Sequence, residues 1–398
     1  MFGGGEYIFF LIIKELARKG HNVQVVTQML CGTKRLEIVD NIGIHRVGSE
    51  FAYSDTTLIP PTIKSHLGYL LLASKKGREL ILKSKKKGEE INLIHSNLYV
   101  PALSGHICSS LYKIPHVITF HDVFLAHNKD YWKDWMSKQV GGNAPFYAST
   151  FAKLIERLVL RLNVSAFHTV SEASKRDLIK FGVAADPICV IPNGIDISQY
   201  QGKDDDMPSY NQRLEPIAVF VGRLVFYKNV ETVIKAYKNV IRVIPNAKLI
   251  IIGVGPHKDN LIKDAEEIHD NIKFTGRISH DEKVKIIKKS CFMVFPSYIE
   301  GFGIAIIEGF ACGKPVLVSD VRPSKDIVRD GYTGFVLPTF DVVAWTDKII
   351  ELFKNQDMLA EMGKNAYFEV LSNYQIEKVT SRMEKLYEKI IEKSTRRS

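Results

Sequence analysis

Short apolar runs and longer amphipathic stretches alternate along this chain, and the alternation occurs twice. In the second half the runs at 217–221, 248–252, 272–275, 291–295 and 316–318 show no clean one-face alternation. Strands of that kind are buried on both faces, as in a parallel sheet covered by helices. Helical stretches fall between them, one ending at 243 and one at 304–311. The first half predicts an amphipathic helix at 6–19 ended by Gly20, then a strand at 21–27. A hairpin follows, 36–39 against 43–47 around Asp40-Asn41. Next come a helix at 63–87, a strand at 91–95, a helix at 100–112 and a buried strand at 115–120. A strand at 166–170 leads into a helix through 181 that Ser171 caps. A helix at 374–391 is the last element. The pattern predicts an α/β protein of two Rossmann-like domains, divided near residue 196.

The most informative stretch runs from Phe295 to Asp320. An apolar run ends at Pro296-Ser297, a loop Glu300-Gly301-Phe302-Gly303 follows, and a helical segment runs to Gly313 and Pro315 before Val316 starts another apolar run. A strand–loop–helix–strand unit opens its loop at the carboxyl end of a parallel sheet, where ligands bind in open α/β folds. Glycine lets backbone approach a ligand closely, and the free amides at a helix start suit phosphate or sugar oxygens. Glu300 lies in the loop and Glu308 in the helix; a carboxylate in so apolar a segment needs partners or a solvent face. A second strand–helix turn, Gly222-Arg223-Leu224 with Lys228 just beyond, offers two cations for two phosphates. A third, Gly253-Val254-Gly255-Pro256, sits between a predicted strand and helix. In the first half His121 ends a buried strand, which fits either chemistry or a histidine satisfied at a strand end.

Composition narrows the class. The 398 residues are 45% hydrophobic and 25% charged, ordinary for globular domains. The net charge of +10 favours anionic ligands or surfaces. Much of it sits in the 63–87 helix, with Lys75, Lys76, Arg78, Lys83, Lys85, Lys86 and Lys87. A solvated helix surface accounts for that, and an anionic membrane is the sharper alternative. No apolar run of about 18 residues appears, nor a signal peptide, so a cytoplasmic protein is expected, with peripheral contact at the inner membrane face as an option. The five cysteines are scattered and read as core residues of a reducing compartment. Asp204-Asp205-Asp206 lies in a polar linker and reads as solvated. No metal or cofactor is implied.

Several motifs together resemble the retaining family 4 glycosyltransferases, the group 1 glycosyl transferases of GT-B fold. They are Pro296-Ser297-x-x-Glu300-Gly301-Phe302-Gly303 with Glu308, Gly222-Arg223-Leu224 with Lys228, Thr119-Phe120-His121-Asp122, and Pro192-Asn193-Gly194-Ile195-Asp196. The likeness is weak before residue 110 and strong over 216–340. It implies two Rossmann-like domains facing across a cleft: 1–195 on the acceptor side, 196–372 binding the nucleotide sugar, and 373–398 as a helix packing back on the first. It implies that Arg223 and Lys228 hold the donor pyrophosphate, that Glu300 and His121 face the donor sugar, and that Glu308 holds the ribose. The amides of Phe302, Gly303 and Ile304 would surround sugar and phosphates, with Gly222 and Gly253 beside them and the base near Arg277 and Ile278. Gly4 and Gly5 would form the acceptor-side loop. The family normally has glycine where Asn229 stands. A strand normally precedes the glycine turn, and only Met1 and Phe2 do so here, so the expectation is a chain that begins late.

The function expected is metal-independent, retaining transfer from a nucleoside-diphosphate sugar to a hydroxyl of a sugar or lipid acceptor, in glycolipid, polysaccharide or cell-envelope synthesis. Nucleic acid is not among the expected partners. The alternatives are a nucleotide-sugar-binding protein without transfer activity and a sugar-nucleotide epimerase on the same fold.

Overall fold

The computed structural model describes residues 4–51, 63–127, 131–132, 148–201 and 214–396. The chain divides into two compact units: residues 1–193 with 376–398, and residues 194–375.

In the first unit, helix α1 (Gly4–Arg18) is followed by β1 (Gln24–Leu30), β2 (Leu36–Val39) and β3 (Ile42–Phe51). Asp40 and Asn41 both take positive φ, the geometry of a tight hairpin turn, and β2 pairs antiparallel with β3. Strand β1 pairs parallel with β3. After α2 (Ile63–Lys86) come β4 (Ile94–Asn97), α3 (Tyr99–Tyr112), β5 (His116–Phe120), α4 (Ala148–Leu160), β6 (Ala166–Thr169), α5 (Glu172–Lys180) and β7 (Ile188–Val190). Strands β4 to β7 form a second, wholly parallel sheet in sequence order. The first half therefore carries a three-stranded and a four-stranded sheet among its described residues, where the pattern led us to expect one. Ser171 caps α5 as predicted, accepting from the Ser174 amide at 3.1 Å. The core gathers Ile118, Phe120, Phe167, Leu178 and Val159 around β5 and β6. Tyr131 and Trp132 are buried, the first stacked on His127 at 4.2 Å between ring centres, so these two aromatics pack inside the unit. Trp135, Phe146 and Tyr147 lie outside the described residues.

The second unit contains β8 (Ile217–Val221), α6 (Val230–Val243), β9 (Lys248–Ile252), α7 (Lys258–Asp264), β10 (Ile272–Gly276), α8 (His280–Lys289), β11 (Phe292–Phe295), α9 (Ile304–Ala311), β12 (Val316–Ser319), α10 (Ser324–Ile327), β13 (Gly334–Leu337), α11 (Val342–Lys354) and α12 (Gln356–Asn373). Its six strands are all parallel, in the order β10-β9-β8-β11-β12-β13. Chain order thus reverses between β8 and β11, which makes their carboxyl ends the topological switch point. Helix α6 shows why the layers hold. Val230, Val233, Ile234, Tyr237 and Val240 repeat at helical spacing and are buried against the sheet with Phe220 and Trp345.

The last helix, α13 (Ile376–Thr395), belongs to the first unit. Its stripe of Ile376, Val379, Met383, Leu386 and Ile390 is buried. Glu384 on it meets Lys19 at 2.5 Å and His21 at 2.7 Å, both just beyond α1.

Candidate functional site

The second unit gathers most of the expected residues at its switch point. The turn after β8 carries Gly222, Arg223 and Lys228, and the turn after β11 carries Glu300, Phe302 and Gly303. Lys228 is buried and forms an ion pair with Glu300. Its ammonium also lies 4.9 Å from the centre of the Phe295 ring. Arg223 is exposed and donates to the Tyr227 hydroxyl at 2.8 Å. Gly303 takes φ +100, and a side chain there would also strike Ile306, so the entry to α9 calls for glycine. The amides of Phe302, Gly303 and Ile304 donate to nothing among the described residues. Gly253 is required for another reason. A Cβ there would stand 1.8 Å from the Gly222 carbonyl oxygen, because the turns after β8 and β9 run against each other. Gly222 donates to Ile252 and Leu224 to Val254 along that contact. Arg277, exposed, and Ile278, half-buried, follow β10.

Glu308 is buried on α9 and its carboxylate is held from two sides. The Tyr200 hydroxyl donates to Oε1 at 2.8 Å and the Lys283 ammonium donates to the same oxygen at 2.6 Å. Neither partner carries a signal in the sequence, since both become neighbours of Glu308 only through the fold. Asn229, which replaces the usual glycine, holds a left-handed backbone at φ 52 that asparagine tolerates better than most residues. Its side chain donates to the carbonyls of Pro296 and Thr339, and accepts from Thr232. The substitution therefore ties the two site turns to the start of α6.

In the first unit, His121 stands at the carboxyl end of β5. Its Nε2 donates to Asn97 Oδ1 at 2.9 Å, at the end of the neighbouring β4. The neutral ring then presents Nδ1 as an acceptor, buried and without a partner among the described residues. Burial is the first cause that drives the His121 pKa down to about 3, with His168 adding to it. Gly5 on α1 faces the same ring, and a Cβ there would come within 2.8 Å of His121 Cδ2. Two of the expected residues thus meet here; Gly4, beside Gly5, is exposed.

The loop after His121 is anchored by Glu156 of α4, which sequence reasoning passed over. It is fully buried and accepts from the Tyr99 hydroxyl and from the amides of Phe124 and Leu125, at 2.7–2.9 Å. Burial pushes its pKa up to about 7 against those donors.

Residues 2–199 match the family described as Glycosyltransferase Family 4, and residues 203–368 match Glycosyl transferases group 1. An uncharacterized glycosyltransferase of Methanocaldococcus jannaschii is 30% identical over 83% of this chain and 84% of its own length. The D-inositol 3-phosphate glycosyltransferase of Nocardia farcinica is 26% identical over 69% of this chain, and the match spans 61% of that relative. Among solved structures, Anabaena HepE in complex with UDP-glucose superposes with a TM-score of 0.71 at 17% identity, covering 98% of this chain and 97% of that one. The fold is GT-B. The chain belongs to the family 4, or group 1, glycosyltransferases.

Proposed function

We propose that the protein is a retaining, metal-independent glycosyltransferase that moves a hexose from a nucleoside-diphosphate sugar to a hydroxyl of a glycolipid or polysaccharide precursor. One observation carries this reading: the ion pair of buried Lys228 with half-buried Glu300 stands in the same turns as three amides that donate to nothing among the described residues, at the switch point of the second unit. Arg223 and Lys228 neutralise the charge that builds on the leaving diphosphate, the part a metal plays elsewhere. Glu300 orients the sugar, Glu308 holds the ribose, and the amides of Phe302, Gly303 and Ile304 receive sugar and phosphate oxygens. His121 presents Nδ1 to a sugar hydroxyl.

The bond from the anomeric carbon to the diphosphate breaks, and the bond to the acceptor oxygen forms on the same face. The acceptor proton passes to the departing diphosphate. No protein cofactor enters this scheme. That the Anabaena protein holds UDP-glucose supports a nucleotide-sugar donor.

The test is turnover with UDP-, GDP- and ADP-sugars in the presence of chelator. Lys228→Ala is expected to lower kcat about 10²- to 10³-fold, as for the loss of one group that stabilises transition-state charge. Arg223→Ala is expected to act in the same direction. Unchanged turnover in both variants would sink the assignment. Donor binding with no release or transfer of sugar would instead identify a binding protein.

We also infer peripheral contact with anionic lipid at the cytoplasmic membrane face. No helix among the described residues is long and apolar enough to cross a membrane. The outer side of α2 mixes exposed Leu67, Leu71 and Leu82 with exposed Lys64, Lys75, Arg78 and Lys86. Such a stripe suits acyl boundary and anionic headgroups together. Co-sedimentation with phosphatidylglycerol vesicles, lost with Leu71→Asp and absent with phosphatidylcholine, is the expected result. Binding to neither lipid would argue for a plain solvated surface, and equal binding to both would remove the anionic preference.

A further inference from the structure

We infer that Lys283 and Tyr200 are positioning residues that aim one oxygen of Glu308 at the donor ribose; the inference rests on the ribose role proposed for Glu308. The helix that carries Glu308 is apolar on every side, with Ile306, Ile307, Phe310 and Ala311 all buried. A carboxylate there must be paired, and the pairing decides which way it faces. Both donors reach the same atom: Tyr200 Oη and Lys283 Nζ each donate to Oε1. Two strong donors occupy both lone pairs of that oxygen. No hydrogen bond among the described residues ends on Oε2. One oxygen is filled and the other is open, so the carboxylate is fixed in rotation and offers a single directed acceptor.

The frame around it is stitched from three segments. Tyr200 follows the short 3-10 turn Ile197–Gln199, Lys283 lies in the first turns of α8, and Glu308 lies in α9. His280, the first residue of α8, joins two of them. Its Nε2 donates to the Gln199 carbonyl at 3.2 Å, and its ring meets the Tyr200 ring edge-on at 5.1 Å. Ser279 caps α8 by accepting from the Glu282 amide, which sets the helix start and so the place of Lys283. The same short segment carries Arg277 and Ile278, so one backbone stretch would place base-side residues and the ribose acceptor together.

The chemistry predicted is discrimination of ribose hydroxyls. A hydrogen bond to a charged acceptor contributes about 1.5–3 kcal/mol, or roughly 10- to 100-fold in affinity. Calorimetry would first find which of UDP, GDP and ADP binds the wild type best. It would then compare that nucleotide with its 2′-deoxy and 3′-deoxy forms, on wild type, Lys283→Met, Tyr200→Phe and Lys283→Arg. The wild type is expected to prefer the ribonucleotide over at least one deoxy form by about tenfold or more. Lys283→Met and Tyr200→Phe are each expected to erase most of that preference while changing the affinity of the disfavoured deoxy form less than about twofold. Lys283→Arg is expected to restore it. Thermal melting of each variant checks that the unit stays folded.

Equal losses for ribo- and deoxynucleotides in Lys283→Met would overturn the inference and make Lys283 a phosphate contact or a packing residue. Retained preference in both variants would overturn it as well. If the wild type itself ignores both deoxy changes, or binds none of the three nucleotides, the ribose role of Glu308 fails first and the positioning role goes with it.

Discussion

The two units share a fold type and differ in how they treat protons. The second unit holds three of the twelve histidines, and its site is built from ion pairs, Lys228 with Glu300 and Lys283 with Glu308. The first unit holds nine, and four of them are buried or half-buried and kept neutral. Burial leads the causes each time: it lowers His116 and His121 to about 3 and His168 to about 4, and His95 lies well below the ordinary value.

Three side chains, His168, Thr119 and His95, form one directed chain in the first unit between the Ile191 carbonyl and Tyr387 of α13. The Ile191 carbonyl can only accept, so His168 Nε2 donates to it and Nδ1 accepts from the Thr119 hydroxyl. Thr119 then accepts from His95 Nε2, which leaves His95 Nδ1 to accept from the Tyr387 hydroxyl. Each bond has one permitted direction while both rings are neutral. A proton added to either ring makes the facing hydroxyl accept and turn its own hydrogen away from the chain.

The comparison is broken most severely by acid. A histidine whose folded pKa is depressed binds fewer protons folded than unfolded between its folded value and 6.5. Stability therefore falls as pH drops below 6.5, by about 1.4 kcal/mol per pH unit for each such group. Glu156 opposes this with the other sign. Its folded pKa is raised to about 7, so its contribution grows as pH falls from 7 toward the ordinary carboxyl range. Asp177, also raised by burial, acts with Glu156, and the lowered histidines outnumber the two, so a net loss of stability by about pH 5 remains. Hydrogen exchange followed by mass spectrometry, corrected for the intrinsic pH effect, should show peptides of 94–120 and 376–395 losing protection before those of 217–252. Simultaneous loss in both units would show that the neutral histidines do not set acid stability.

How much of this was legible followed the same division. Strands β8 and β9 carry the predicted limits, and the Glu300 and Lys228 turns were found as motifs, because a buried parallel strand is a short apolar run and its turn is spelled in glycine. In the first unit β1 and β4 begin three residues later than the pattern suggested, at Gln24 and Ile94. Polar residues such as His95, Ser96 and Asn97 on β4 disguise the strand's reach. The partners of the site residues were not legible at all. Tyr200, Lys283, Asn97 and Glu156 act through contacts at 24 to 108 residues' separation, and no local pattern encodes such contacts. Asn229 looked like a mild departure, yet its left-handed backbone and three side-chain hydrogen bonds give a reason for asparagine.

A smaller, sharper test of the contrast lies in the glycines. At Gly303 the second unit demands glycine through its backbone, at φ +100. Gly5 sits in ordinary helix, and the His121 ring is what a side chain there would meet first. In an exposed helix the change to alanine would stabilise by about 0.5–1 kcal/mol. Here the new methyl would meet Cδ2 at 2.8 Å and Nε2 at 3.0 Å, while Asn97 holds that same Nε2 in place and Glu156 anchors the loop that follows. The ring has to turn away, which misdirects Nδ1. Gly5→Ala is therefore expected to lower turnover about tenfold, near 1.4 kcal/mol, while the helix gain keeps stability within about 1 kcal/mol of wild type. Parallel measurement of kcat and of the melting temperature separates the two effects. A variant with a higher melting temperature and full turnover would show that the ring gives way freely, and that His121 is not held for chemistry.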